Sequence, residues 1–524
     1  MRDAAEREVV STVAARKPKP EPTPQPAESP RLDLTIKVES FGPIRSGKVK
    51  LHPLTVLIGP NNSGKSYLAR LVDALCASAA RVTAYADPPP VDGAGGAADS
   101  LRNAPPRLRR LQRELERHLT GVGEDYTGML DPALVRGHCQ AALTEVYQIL
   151  LPNQLLALLG VPTGDMRSTG AKEAMLAVSA RPHSAAVRLD GQGGGGSVNV
   201  GAPPEVRLTV ARHGSAPGVS VGSSHEWNLW LALSGEWQRL SYALASFDRR
   251  CVGEALGDLR RACWYVPAGR SGLMQGYRPI VSSVIAGAQW AGVQPARAPR
   301  LLGAVARFLS VLFQPPPEGG IAPEAVTRAE LSLTGGTILV RRSEPLLAPD
   351  LRFRFDGGEV PIESASSSVG ELAPLFVYLR EVVRPGDLLI IEEPEAHLHP
   401  ENQRLIARLF AKLVSEGLNM IITTHSDFLL EELHNLVLAH GLDERDSKRA
   451  LGEYHDCTLP PDDVGVFLFS RPTNRKGEFV GSRIRELKVT AEDGIPSDEF
   501  TRVFEEMYND SVRIRSWLPG GEEE

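Results

Sequence analysis

The sequence predicts an α/β fold, a mixed sheet flanked by helices and interrupted by a large insertion that is part helical and part β. Three stretches predict it. LTVLIGPNNSGKSYLARL (54–71) is an apolar strand, a glycine-bounded loop and the start of a helix. PGDLLIIEEPEAHLHPENQ (385–403) is an all-apolar run that ends in two carboxylates. LNMIITTHS (418–426) is another apolar run, and it ends in a histidine. Short continuous apolar runs bounded by turn residues fit parallel strands buried on both faces.

The elements follow in chain order. Residues 1–31 include KPKPEPTPQPAESPR, Pro-rich and charged, and read as a disordered tail or tether. Residues 32–85 form the first part of the folded head. Leu34 to Val38 alternates like a strand, Ser46 to Leu51 is a weaker strand, and Gly42-Pro43 is the turn between them. Leu54 to Ile58 is a buried strand. Gly59-Pro60-Asn61-Asn62-Ser63-Gly64-Lys65-Ser66 then fits G-x-x-x-x-G-K-[ST], and Leu68, Leu71, Val72 and Leu75 recur at helical spacing. A strand before this motif and a helix after it mark a phosphate-binding P-loop. Gly59 and Gly64 let the backbone turn with no Cβ in the way. Backbone N–H groups and the positive end of the helix then face the anion. Lys65 is expected to reach the β- and γ-phosphates of ATP, and the Ser66 hydroxyl to ligate Mg²⁺.

Residues 86–260 read as the insertion, rich in Ala, Gly and Pro, with loops such as DPPPVDGAGGAAD and DGQGGGGSVNVGAPP. RLRRLQRELERHL (107–119) puts Leu108, Leu111, Leu115 and Leu119 on one helix face and Arg109, Arg110, Arg113 and Arg117 on the other. That basic face is either a solvated surface balanced by Glu114 and Glu116 or a contact to a phosphate backbone. VRLTVARHG and HEWNLWLAL read as strands of a small sheet. Residues 261–515 return to the head. Trp264 to Gly272 is a strand running into a Gly-rich loop, Thr337–Arg342 and Leu351–Phe355 make a hairpin, and the C-terminal stretch from VGVFLFS reads as strands and a terminal helix. Residues 516–524 read as a disordered acidic tail.

The chain of 524 residues, with 42% hydrophobic and 23% charged residues, is of ordinary globular composition. A net charge of −6 argues against a generally polycationic nucleic-acid binder while leaving a local basic patch open. No apolar run approaches the roughly 18 residues that span a bilayer, so no membrane partner is expected. The five cysteines are far apart and form no C-x-x-C pair, which fits reduced thiols of a cytoplasmic protein.

The acidic strand carries the chemistry. Two carboxylates at the end of a buried strand are costly unless a cation or hydrogen bonds sit beside them. We expect Glu392 to hold Mg²⁺ and Glu393 to act as the catalytic base on the attacking water. His425 follows the next strand, and ligands of open α/β sheets gather at the carboxyl ends of strands. His425 is therefore expected beside the P-loop and Glu393, sensing the γ-phosphate. His397 and His399 flank Leu398 but lack further ligands at convincing spacing, which favours a structural or interface role over a metal. In SASSSVGEL (364–372) Ser367 is either an anion-binding hydroxyl or a simple helix cap.

The order P-loop, insertion, Ser-rich segment, acidic strand and histidine strand resembles that of ABC-class ATPase heads, including SMC-type proteins. IIEEPEAHLHPENQ, TTHSDFLLEELHNL, YVPAGRSG and IKVESFGPI…LTVLIGPNNSGKS resemble the predicted ATPases related to OLD (overcoming lysogenization defect) proteins, many of them from bacterial anti-phage systems. The resemblance covers about residues 32–85 and 260–510. It implies a P-loop NTPase of ABC/SMC-head type that hydrolyses ATP between two copies. Ser367 would act in trans, Ala396 to His399 would line the seam, and Arg270 would contact phosphate or the interface. It also implies a homodimer or higher homo-oligomer and a separate effector, a nuclease or toxin, with DNA as a further partner. The signature reads SSSVGE rather than LSGGQ. Asp462-Asp463 and Glu492-Asp493 sit in loops, unlike the acidic site of a Toprim nuclease, so cleavage of DNA by this chain is not expected. An SMC-like DNA-repair ATPase and a slow-turnover ATP-dependent scaffold are the alternative readings.

Overall fold

The computed structural model describes residues 32–84, 106–119, 126–162, 165–168, 171–190, 193–202, 206–213, 216–223, 237–289, 303–317, 319–342, 349–473, 479–496 and 498–517. The 1–31 tail, the HEWNLWLAL stretch and residues 518–524 lie outside the described residues.

The described chain opens with an antiparallel hairpin, β1 (Leu34–Phe41) and β2 (Ile44–Lys50), turning at Gly42-Pro43. Leu34, Ile36 and Val38 are buried while Lys37 and Glu39 are exposed or nearly so, the period of a sheet with one wet face. β3 (Leu54–Ile58) is buried along its whole length, and α1 (Lys65–Ala84) leaves the loop after it. Next come α2 (Pro106–Leu119), β4 (Tyr126–Met129), α3 (Pro132–Glu145) and α4 (Leu151–Leu159), the last two joined by a π-helical turn. Strands β5 (Ala174–Ala180), β6 (His183–Asp190), β7 (Gly193–Val200), β8 (Val206–His213) and β9 (Ala216–Ser223) precede α5 (Trp237–Leu256). The chain continues with β10 (Cys263–Val266), α6 (Arg270–Gln289), α7 (Gly303–Phe313) and α8 (Pro323–Thr334). A small antiparallel sheet of β11 (Gly336–Arg341), β12 (Asp350–Phe355) and β13 (Gly358–Pro361) follows. The last elements are α9 (Ser367–Glu381), β14 (Leu388–Glu392), α10 (Pro400–Ser415), β15 (Asn419–Thr424), α11 (Asp427–Ala439), α12 (Glu444–Leu451), β16 (Val464–Ser470), β17 (Ser482–Leu487) and α13 (Asp498–Trp517).

One mixed sheet has the strand order β10-β14-β15-β3-β16-β17-β2-β1-β5-β6-β7. The first five strands are parallel, and most pairs beyond β16 are antiparallel. Successive side chains of the parallel strands enter opposite cores. Leu388 and Ile390 belong to the core that also holds residues of α1, α3 and α4, whereas Leu389 and Ile391 belong to the one that holds residues of α9, α10 and α11. That is why these strands read as unbroken apolar runs.

The insertion differs from the expectation of a sheet of its own. β4, β8 and β9 do form a small sheet, but β5, β6 and β7 extend the main one through β1. β7 takes in the GGGG stretch expected to be loop; at Gly196 a Cβ would lie 2.0 Å from the Ala186 carbonyl oxygen, so only glycine lets this strand approach β6. The expected Gly-rich loop through Gly272 is also shorter, because α6 starts at Arg270. At the C-terminus α13 runs through Trp517, into the segment expected to be tail.

Candidate functional site

Three neighbouring parallel strands, β14, β15 and β3, end side by side. Glu392 is in register with Thr423, and Thr424 with Ile58, so the acidic strand, the histidine strand and the loop meet at one edge.

The loop is shaped by its glycines. Gly59 sits at φ +135° and Gly64 at φ +102°; a Cβ at Gly59 would lie 2.4 Å from the Phe469 carbonyl oxygen, and one at Gly64 2.6 Å from Ile44 Cγ1. Asn62 takes the left-handed conformation, while Pro60 and Asn61 are exposed. Lys65 is buried beneath the loop, its Nζ donating to the carbonyls of Gly59 (2.7 Å) and Pro60 (3.0 Å). Burial pushes its pKa down to about 8, against the pull of Glu393, Glu395 and Glu392. Ser66 is half-buried in the first turn of α1. Ser63 Oγ is buried without a partner.

Glu392 is 3% exposed. Its Oε2 lies 3.6 Å from Arg70 Nη2, and Arg70 Nε donates to the Tyr265 hydroxyl at 3.0 Å. Its Oε1 is buried with no hydrogen-bond partner. Glu393 sits at φ +46°, a strained conformation for a non-glycine residue, and its N–H donates to the Thr423 carbonyl at 2.9 Å. Burial, with Glu395 and Glu392 next, raises the Glu393 pKa above the usual carboxylate range. His425 Nε2 lies 3.7 Å from Glu393 Oε1. Burial first, then the Lys65 charge, lowers the His425 pKa, which keeps the ring neutral near pH 7. The structure thus brings Gly59 to Ser66, Glu392, Glu393 and His425 together.

Arg270 corrects an expectation. It is fully buried among this chain's own atoms, with no exposed surface for a phosphate or a partner to touch. Its guanidinium donates to the carbonyls of Glu371 (3.0 Å), Pro267 (2.8 Å), Glu392 (2.7 Å) and Glu393 (3.1 Å), and pairs with the Glu371 carboxylate at 3.0 Å. Glu371 also accepts from the backbone N–H groups of Arg270 and Ser271 and so caps α6. The helix that follows the Ser-rich segment is thereby fastened to the Glu392–Glu393 turn.

Ser366, not Ser367, caps α9, accepting from Val369 N at 3.3 Å. Ser367 is exposed at the first turn, and Ser368 donates to the His397 carbonyl at 3.0 Å. His399 caps α10 through its ring, accepting from Glu401 N. On α2, Leu108 and Leu111 are buried and Arg109, Arg110 and Arg113 exposed, as both readings of the basic face require; the Arg117 side chain lies outside the described residues. Arg107, left unremarked in sequence, is buried on Asp248 and Glu145. Glu395, Arg70, Tyr265 and Glu371 were likewise missed, since their partners lie on other elements. A cavity of about 440 Å³ elsewhere is lined by residues including Arg328, Arg408, Lys412 and Tyr454, and by none of the loop or strand-end residues.

Residues 348–431 match the model of a family described as AAA domain, putative AbiEii toxin, Type IV TA system. No curated protein sequence matches the chain. Similar solved structures include an Smc head bound to the C-winged helix domain of ScpA, at 11% identity over 88% of this chain and 98% of that one, with a TM-score of 0.36. Another is the SMC head domain from Thermotoga maritima, at 12% identity over 88% and 100%, with a TM-score of 0.30. A third is an Smc head with an extended coiled coil bound to the C-terminal domain of ScpA derived from Pyrococcus furiosus, at 10% identity over 91% and 99%, with a TM-score of 0.32. With P-loop, acidic strand and histidine strand side by side in one mixed sheet, the chain carries an α/β fold with a P-loop at the ends of its parallel strands, and its residues 348–431 match an AAA-domain family model.

Proposed function

We propose that the chain hydrolyses ATP with Mg²⁺, and that ATP-gated pairing of two heads controls a separate effector, a nuclease or toxin, in anti-phage defence. The observation that carries the hydrolytic part is the Glu392 Oε1 atom, buried and unpartnered at the mouth of a P-loop. A buried carboxylate oxygen without a partner is costly, and a divalent ion beside it removes that cost. Gly59 to Ser66 would hold the triphosphate, and Ser66 with Glu392 would hold Mg²⁺. When bound, the ion supplies positive charge to the β- and γ-phosphates.

The remaining work falls to the chain's own side chains. Glu393, its basicity raised by burial and its carboxylate neighbours, takes the proton of the attacking water. His425, 3.7 Å from Glu393, would present a neutral imidazole to the γ-phosphate. Ser367, exposed at the first turn of α9, would reach the nucleotide of the opposite head. The effector and defence roles rest on the sequence resemblance. Among the described residues no helix is long and apolar enough to cross a membrane, and a cytoplasmic location is part of this proposal.

Size-exclusion chromatography with light scattering tests the pairing, using wild type and Glu393→Gln with and without ATP and Mg²⁺. The proposal expects a doubled or larger mass for Glu393→Gln only when both are present. One constant mass in every condition removes ATP-gated pairing and the trans role of Ser367. An ATP-dependent pair with barely measurable turnover in the wild type would favour the scaffold reading instead.

A further inference from the structure

The turn after β14 carries a third carboxylate, Glu395, to which the hydrolytic reading gives only a charge beside Glu393. Its Oε1 accepts from the His425 backbone N–H at 2.8 Å and from the Thr424 hydroxyl at 2.8 Å. The Thr424 hydroxyl in turn accepts from Ser426 N at 3.0 Å, and Ser426 caps α11. The ladder between β14 and β15 reaches its last register pair at Glu392 and Thr423. Beyond that pair the two chains diverge, one into the left-handed turn at Glu393, the other into the start of α11. A bond from Ala396 N to the Glu393 carbonyl, at 3.1 Å, closes the turn and places Glu395 over the end of β15. The second oxygen, Oε2, is buried with no partner.

We propose that Glu395 is a positioning residue for hydrolysis: by holding the Thr424–His425 end of β15 to the turn that carries Glu393, it sets the imidazole against the base. The proposal rests on the hydrolytic reading above. Its physical content is reach. A single oxygen holds two donors of one strand end on the β14 side, where the ladder stops one residue earlier, while the β3 side stays paired through Thr424. Release of that end would let His425 drift from Glu393, and misplacement of about 1 Å in a reacting constellation costs about a hundredfold in rate.

Two variants separate the tie from the charge. Glu395→Gln keeps the acceptor oxygen at full reach and removes the charge. Glu395→Asp keeps the charge and falls short by one methylene. Three readouts are taken on each full-length protein: hydrogen exchange at the His425 amide without nucleotide, ATP affinity, and kcat with Mg²⁺. Glu395→Gln is expected to keep wild-type exchange and, since it also removes a charge that raises the Glu393 pKa, to lose less than about fivefold in kcat. Glu395→Asp is expected to exchange at least about tenfold faster, to bind ATP within about threefold of wild type, and to lose about ten- to a hundredfold in kcat.

The opposite order, with Asp active and Gln inactive, would overturn the proposal in favour of a purely electrostatic role. So would wild-type exchange and kcat in Glu395→Asp, or a loss confined to ATP affinity. A wild-type protein that exchanges as expected but turns over no ATP defeats the hydrolytic reading and reduces Glu395 to a structural brace.

Discussion

Arg270→Lys would ordinarily pass as conservative, and the structure predicts that it is not. A guanidinium has five N–H donors. All five are used: Nε on the Glu371 carbonyl, Nη1 on the carbonyls of Pro267 and Glu392, and Nη2 on the Glu393 carbonyl and the Glu371 carboxylate. Lysine offers three, so at least two acceptors lose their donor in a fully buried place. At about 1–3 kcal/mol for each buried group left unsatisfied, the cost is about 2–6 kcal/mol. Arg270→Met goes further and leaves the Glu371 carboxylate buried without its cation, held only by the backbone N–H groups of residues 270 and 271, at about 3–5 kcal/mol. Glu371→Gln in the same chain should recover part of that loss, with a coupling of about 1–3 kcal/mol. Urea unfolding of the five proteins (wild type, Arg270→Lys, Arg270→Met, Glu371→Gln and the Arg270→Met/Glu371→Gln double variant), followed by circular dichroism and tryptophan fluorescence, measures these differences. Both single Arg270 variants within about 1 kcal/mol of wild type, or strict additivity with Glu371→Gln, would refute the reasoning.

Two further outcomes are expected. Lys65→Ala removes the buried ammonium beneath the loop and should weaken ATP binding at least about thirtyfold by calorimetry, without loss of fold; unchanged affinity would contradict the P-loop assignment. His183 is buried between the Tyr147 hydroxyl (2.6 Å) and the Ala255 carbonyl (2.7 Å), and burial lowers its pKa from 6.5 to about 4. The unfolded chain therefore takes the proton first. The stability owed to the neutral ring is complete above about pH 6.5 and is lost as pH falls towards 4, by about 3 kcal/mol. The stability difference between wild type and His183→Gln should shrink by about that amount over this window, and a difference constant from pH 7 to 4 would contradict the assignment.

What the sequence disclosed is local. The P-loop, the acidic strand and the histidine strand each declare themselves within about ten residues, because an all-apolar run and the polar residue ending it are neighbours in the chain. Their meeting at one sheet edge follows from the general placement of ligands at strand ends. Arg270 could not be read this way. Its partners stand at 267, 371, 392 and 393, and nothing near Arg270 announces that it will be buried. The same holds for Arg107, whose carboxylate Asp248 lies 141 residues on. β5 and β6 alternate buried and more exposed side chains, but alternation does not announce that β5 pairs with β1 and β6 with β5, since a period of two carries no information about the neighbour. Glu395 was visible beside Glu392 and Glu393, yet its task depends on where β15 ends.

The most direct test of the central claim pairs ATP binding with ATP turnover in wild type and Glu393→Gln, in the presence of Mg²⁺. The account predicts equal affinity for ATP and turnover in the variant slower by at least about a hundredfold. Equal turnover in the two proteins, or a wild type that binds no ATP, would contradict it.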